Sequence, residues 1–117
     1  MDNILDSIKK LLGIQPEYRV FDEDLIIHIN TVLVILNQLN VGPPEGFLLY
    51  DGTELWSDYI DKEQINMVKS YIYLRVRLLF DPPGSGILVD SINRMISELE
   101  WRIYLEGDSS KGGDESE

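Results

Sequence analysis

The apolar residues of segment 67–80 lie on two neighbouring helical faces instead of forming one stripe. One face holds Ile65, Val68, Ile72, Val76 and Leu79, and the other holds Met67, Tyr71, Leu74 and Leu78. A helix that is apolar around most of its circumference is normally covered around most of it. We therefore expect this helix to be the centre of a small bundle, or to be covered in part by another subunit.

The same periodicity predicts three further helices. The first spans about residues 3–12, with Asp2 or Asn3 as its cap and Gly13 as its stop. The second begins after Asp22, whose carboxylate is expected to accept the free amides of the first turn, and ends near Asn40. The helix of segment 67–80 is the third in the chain. It opens with an apparent capping box at residues 61–64 and ends at Phe80, because Pro82 forbids helical geometry at the residue before it. The fourth spans about residues 87–105.

The pattern changes between residues 42 and 61. Residues 47–50 and 53–56 flank an Asp51-Gly52 pair, a combination typical of a type I′ hairpin turn. A two-stranded hairpin is only marginally stable alone, so it must rest on the helices or on a partner. A single helical turn is expected at residues 57–60.

Together these elements predict a mainly α protein. We expect a small four-helix bundle at residues 1–106, with a short β-hairpin between helices 2 and 3. Residues 107–117 contain no apolar side chain and are expected to form a disordered acidic tail in the free protein.

Composition narrows the possible functions. The net charge of −11 disfavours binding to a phosphate backbone. Cysteine is absent, and the lone histidine, His28, lies mid-helix with only Asp24 at ligand spacing, which favours a surface or interface residue over a metal ligand. No serine motif or phosphate loop is present, which disfavours an enzyme and a bound cofactor. Together with the lack of metal ligands, this predicts no catalytic, metal or cofactor site. Residues 1–4 show no signal-peptide pattern, and six polar residues in 25–44 argue against a membrane span.

Aromatic and basic residues supply the candidate interface. On the fourth helix Val89, Ile92, Ile96, Leu99 and Ile103 form the core stripe. Trp101 lies on the other side near Arg94, which is the composition of an interface anchor, although the chain's own first helix or hairpin could also cover it. On the third helix, Tyr73 and Arg77 join a basic and aromatic strip. The full set of candidate interface residues is Trp101, Arg94, Arg75, Arg77, Tyr73, Phe47, Tyr50 and Trp56.

Five segments, which together span nearly the whole domain, resemble the small head–tail connector (adaptor) proteins of long-tailed bacteriophages. They are residues 22–30 (DEDLIIHIN), 35–43 (ILNQLNVGP), 56–58 (WSD), 68–83 (VKSYIYLRVRLLFDPP) and 92–102 (INRMISELEWR). The resemblance implies a subunit that forms a ring of about twelve copies under the portal protein, in the virion neck. It also implies a docking surface for a stopper or tail protein, assembly in the host cytoplasm, and passage of DNA without specific binding.

One alternative stays open from the residues alone. An acidic chain could mimic DNA, or regulate a host nucleic-acid enzyme by binding it. Such a protein is expected to present carboxylates in a spaced double row. The acids here gather at helix starts, loops and the tail, which favours the connector.

Overall fold

The computed structural model describes the backbone of residues 3–115 and the side chains of residues 3–106. It contains the helices α1 (Ile4–Leu11), α2 (Asp22–Gln38), α3 (Trp56–Tyr59), α4 (Ile65–Phe80) and α5 (Gly86–Glu115), with a 3₁₀ turn at Lys62–Gln64. The prediction of a small helical bundle is confirmed. Helices α1, α2, α4 and α5 match the four predicted helices, and α3 matches the predicted helical turn.

Helix α4 is the centre of the bundle. It packs against α1, α2 and α5, and its buried residues are Val68, Tyr71, Ile72, Leu74 and Val76. Of its apolar residues only Leu79 is largely exposed, at 51%. The chain itself therefore covers most of the surface that raised the question of a second subunit.

Helix α1 is fixed by contacts at both of its ends and along its side. The Asn3 side chain accepts the backbone N–H of Asp6 at 2.7 Å, which is the predicted cap, and Gly13 ends the helix at a φ of 83°. Asn3 forms an isolated antiparallel bridge with Leu55, and the Trp56 indole donates to the Ser7 hydroxyl at 2.9 Å. The N-terminal helix is thus joined to the loop that precedes α3.

The predicted β-hairpin is wrong, since no strand is present among residues 3–115. The Asn30 side chain takes both backbone groups of Leu49: its Oδ1 accepts the N–H at 2.7 Å and its Nδ2 donates to the C=O at 2.9 Å. The Glu54 carboxylate accepts the N–H groups of Tyr50 and Gly52 at 2.8 and 3.1 Å. Side chains therefore satisfy the backbone groups that a cross-strand ladder would have used.

Two predicted helix caps are also wrong. The residue before α2 is Phe21, and the Asp22 carboxylate pairs with cationic side chains instead of capping the helix. Asp61 precedes a 3₁₀ turn that leads into α4, and its side chain forms no cap there. A side-chain cap of this kind forms one element earlier, where the N–H of Leu55 donates to the Asp58 carboxylate at 3.0 Å.

Helix α5 lies along α4 and is longer than predicted. Its core residues Ile92, Ile96 and Ile103 are buried, as predicted, whereas Val89 and Leu99 are half-buried. Its helical backbone continues to Glu115 instead of ending near Leu105, into the segment expected to be disordered. The side chains of 107–117 lie outside the described residues, and the disorder of this tail in the free protein stays a prediction.

Candidate functional site

Helix α5 carries a cluster of exposed aromatic and apolar side chains, the α5 aromatic patch, formed by Trp101, Tyr104 and Leu105. These residues are 60%, 48% and 42% exposed, respectively. The Trp101 and Tyr104 rings stack with centroids 6.0 Å apart. The prediction that Trp101 turns away from the core is confirmed, and the chain's own first helix and loop do not cover it.

Arg94 lies two turns before Trp101 on the same face of α5 and is exposed. The sequence spacing favours an ion pair between Asp90 and Arg94, but none forms between these two side chains in the described part of the chain. The comparable pair of Glu98 and Arg102 does form, at 3.4 Å. The Arg94 guanidinium is therefore available for a partner on the face of α5 that carries Trp101.

Arg75, in contrast, is engaged within the chain. Its guanidinium pairs with the Glu100 carboxylate, its Nε donates to the Tyr71 hydroxyl at 2.7 Å, and that hydroxyl donates to Glu100 at 2.6 Å. Burial and then the bond to Glu100 raise the pKa of Tyr71 to about 12. Burial opposes ionisation of Glu100, but the bonds from Tyr71 and Arg75 outweigh it and lower its pKa. This cluster ties α5 to α4.

Tyr73 and Arg77 also contact each other within α4. The Arg77 Nη1 donates to the Tyr73 hydroxyl at 3.2 Å, and its Nε donates to the C=O of Asp81 at 3.4 Å. Both side chains are half-buried. The predicted basic and aromatic strip is therefore partly used to hold the end of α4, and its role towards a partner stays a prediction.

A second unpartnered surface lies between α2 and the loop that follows it. This α2 groove has a volume of about 280 Å³ and is lined by Leu33, Val34, Asn37, Glu45, Gly46, Phe47, Leu48 and Tyr50. Val34, Leu48 and Tyr50 are 52%, 38% and 82% exposed. The groove is thus apolar at its floor and open to solvent.

The structure separates Phe47, Tyr50 and Trp56, which the predicted hairpin would have brought together. Tyr50 is exposed and Phe47 is half-buried, stacked on Tyr59 with centroids 4.8 Å apart, and both line the groove. Trp56 is buried at 3% exposure, so it cannot project towards a partner in this conformation. Because Trp56 binds Ser7 of α1, its function in the fold is to hold the loop on the helix.

Sequence reasoning missed the α2 groove. One signal for it is present: Ile27 and Val34 lie on the side of α2 opposite its buried stripe, and both are more than half exposed. What could not be read from spacing is the return of residues 45–50 along α2. That return depends on the pairing of Asn30 with Leu49, which lies 19 residues away.

Sequence reasoning also missed the environment of Lys9. Its ammonium group is fully buried and donates to the C=O groups of Pro16 and Tyr18 at 3.0 and 2.8 Å and to the Asp22 carboxylate at 2.8 Å. Arg19 also pairs with Asp22, at 3.0 Å. All three protons of Lys9 have an acceptor, so this cluster fixes the linker between α1 and α2.

His28 is half-buried beside Phe80, with ring centroids 6.4 Å apart. Among the described residues, no group of three or more His, Asp and Glu side chains could hold a metal ion, and none of the described helices is long and apolar enough to cross a membrane. The candidate functional sites of this molecule are the α5 aromatic patch and the α2 groove.

Comparison with known proteins identifies the family. The model of the phage connector protein family matches residues 4–110 of the 117-residue chain, a range that includes α1 to α4, most of α5 and both unpartnered surfaces. Searches among curated proteins and among solved structures found no match. The family is a structural one, and its match covers well over half of the chain. The chain therefore belongs to the phage connector protein family.

Proposed function

We propose that this protein is a ring-forming adaptor between the portal and the tail of a bacteriophage. Copies of the subunit, about twelve in number, surround and extend the DNA channel in the virion neck. One side of the ring contacts the portal protein and the other side contacts a stopper or tail protein. Membership in the connector family supports this structural function over the DNA-mimic alternative.

The observation that carries the proposal is the exposure of the α5 aromatic patch. Trp101 is 60% exposed although its ring and that of Tyr104 already stack on each other. Burying large aromatic side chains is strongly favourable, and Trp, Tyr and Arg dominate the energetics of protein interfaces. A connector subunit that leaves this patch uncovered needs a partner there.

The charge of the subunit suits a DNA channel. With a net charge of −11, a ring of these subunits repels the phosphate backbone, and DNA can pass without adhering. The charge distinguishes this adaptor from a protein whose function is to hold DNA.

The structure of the subunit refines the proposed interface residues. Trp101, Arg94, Tyr50 and Phe47 belong to the two unpartnered surfaces, and we assign them to contacts between molecules. Tyr73 and Arg77 lie at the end of α4 and form part of the same proposal. Arg75 supports it indirectly, since its bond to Glu100 holds α5 in position.

The test is to purify phage particles assembled with and without this protein and to image their necks by electron microscopy. We expect density for this chain between portal and tail, and expect Trp101→Ala to weaken assembly while far-UV circular dichroism stays unchanged. Tyr18→Ala is the matched control, because Tyr18 is a 50% exposed aromatic residue outside both surfaces. The proposal is wrong if the chain is absent from the neck, or if tails join to heads normally without it.

A further inference from the structure

We propose that the α5 aromatic patch of one subunit seats in the α2 groove of the next. This inference deepens the proposed function, on which it rests, because it names the two surfaces that meet between neighbouring copies. The occupant of the groove is a second copy of this chain. The occupying residues are Trp101, Tyr104 and Leu105.

The two surfaces lie on the outer sides of two different helices of one subunit. Helices α2 and α5 both pack against α4. Val34 lies on the side of α2 opposite its buried residues Val32 and Leu36, and Trp101 lies on the side of α5 opposite Ile92 and Ile96. A patch on one outer side and a groove on the other cannot meet within a chain, but they can meet between copies.

The size and chemistry of the groove suit an aromatic anchor. Its apolar lining includes Leu33, Val34, Phe47 and Leu48, and its volume of about 280 Å³ is close to the lower limit for pockets that enclose small organic molecules. Asn37 and Tyr50 supply polar groups at its edge. A pocket that desolvates a Trp, with polar groups around it, is the usual form of an interface hot spot.

Charge is distributed so that the groove of one copy attracts the patch of the next. Residues 20–61, which include α2 and the groove, contain eight acidic and no basic residues, whereas residues 62–105 contain six basic and five acidic residues. Glu45 is the one charged residue that lines the groove, and Arg94 is an exposed cation two turns before Trp101 on the same face of α5, outside the ion pairs of the described residues. Contact of the patch with the groove places these opposite charges together, and contact of groove with groove does not.

This contact uses two different surfaces, so it is heterologous. Repetition of a heterologous contact gives a closed ring when the rotation closes, and a helical filament when it does not. A two-fold contact, in which patch meets patch, would stop at a dimer. The proposed pairing is therefore of the kind that a ring requires, and a two-fold contact is not.

The chain contains no cysteine, which makes disulfide trapping a direct test. Leu48→Cys places a thiol at the groove and Leu105→Cys places one at the patch, each at an exposed side chain. The two variants are mixed with the portal under mild oxidation and separated on a non-reducing gel. A disulfide needs Cα atoms about 4.4–6.8 Å apart, so only adjacent surfaces are joined.

We expect a cross-linked dimer in the mixture and little in either variant alone. The control for random collisions is a Ser70→Cys variant, whose thiol lies at an exposed position on α4. Mixed with either the Leu48→Cys or the Leu105→Cys variant, it should give no cross-link. Trp101→Ala in the Leu105→Cys background should lower the yield by about 30-fold, the loss typical of a hot-spot residue. Glu45→Arg in the Leu48→Cys variant and Arg94→Glu in the Leu105→Cys variant should each slow cross-linking about tenfold. Mixing these two doubly substituted proteins should restore the rate, because the charges are again opposite.

Three outcomes overturn the inference. Cross-linking of the Leu48→Cys variant with itself, or of the Leu105→Cys variant with itself, shows a two-fold contact. Rings without a cross-link between the two variants refute the pairing and leave the proposed function intact. Loss of portal binding in the Trp101→Ala variant, with self-assembly unchanged, assigns the patch to the portal instead.

Discussion

The buried ammonium of Lys9 gives the sharpest test of how this fold is held together. The Lys9→Met substitution keeps the length of the side chain and removes all three of its hydrogen bonds, to Pro16, Tyr18 and Asp22. The Asp22 carboxylate, only 17% exposed, then keeps Arg19 as its partner, and Arg19 is 69% exposed. An inward-facing carboxylate thus loses its buried cation.

The magnitude follows from this geometry. Removing one partner of a buried ion pair costs about 3–5 kcal/mol, because the remaining charge stays desolvated. Methionine recovers part of that cost by packing, so we expect Lys9→Met to lower the free energy of unfolding by about 3 kcal/mol. Because the whole stability of a domain is about 5–15 kcal/mol, the change should be plain in a urea titration.

The assay is urea unfolding followed by far-UV circular dichroism, with three comparisons. Lys10→Met is the matched control, since Lys10 is exposed, and it should change stability by less than about 0.5 kcal/mol. The double variant Lys9→Met with Asp22→Leu should be less destabilised than the sum of its single changes, because both charges are gone. If Lys9→Met behaves like Lys10→Met, the cluster is not a major support of the fold and the reasoning fails.

Three further predictions concern stability, each measured by urea unfolding. Tyr59→Phe should leave stability unchanged or raise it by up to about 1 kcal/mol, because the Tyr59 hydroxyl is buried without a hydrogen-bond partner in the described part of the chain; a clear loss would contradict this. Gly52→Ala should cost more than about 2 kcal/mol, since φ is 86° and the new Cβ would lie 2.6 Å from the Leu5 side chain. Gly13→Ala, with φ of 83° and no atom within 4 Å, is its control and should cost about half as much. The pKa of Tyr71 rises from 10.0 in the unfolded chain to about 12 in the folded one. Its contribution to the free energy of unfolding is therefore complete below pH 10 and is lost as the pH rises towards 12, and Tyr71→Phe should flatten that loss.

The helices were predictable because their evidence is local. Periodic apolar positions fix which face of a helix is covered, and the stripe of α5 that contains Ile92, Ile96 and Ile103 is buried as that rule requires. The N-cap at Asn3 and the stop at Gly13 also depend only on neighbouring residues. For the same reason the outward orientation of Trp101 followed from its position on the helix, whereas its exposure depends on where the first helix and the loop lie.

The errors arose where distant groups compete for the same atoms. Asp22 has the spacing of a helix cap, but its carboxylate accepts a hydrogen bond from the ammonium of Lys9, 13 residues earlier, instead of from the first turn of α2. The residues around Asp51 and Gly52 have the composition of a hairpin, but Asn30 takes the backbone of Leu49 and Glu54 takes the amides of the turn. Neither competitor is visible in a local pattern, since each depends on which helix the fold brings near.

The α2 groove was hidden for a related reason. Its floor comes from one helix and its wall from a loop whose course is set by tertiary hydrogen bonds. A sequence can indicate that Val34 is apolar and outward. It cannot indicate, without the fold, that Phe47 and Leu48 return to stand beside it.

The attachment of α1 to residues 54–56 has a consequence for the time course of synthesis. The Trp56 indole bonds to Ser7 across 49 residues of chain, and the N–H of Ile4 bonds to the C=O of Glu54 at 3.0 Å. At about 5–20 residues per second, a ribosome adds that intervening stretch in roughly 2–10 s. During this interval α1 can contact only α2 and the linker between them, so its attachment to the loop before α3 forms only after residue 56 has been added.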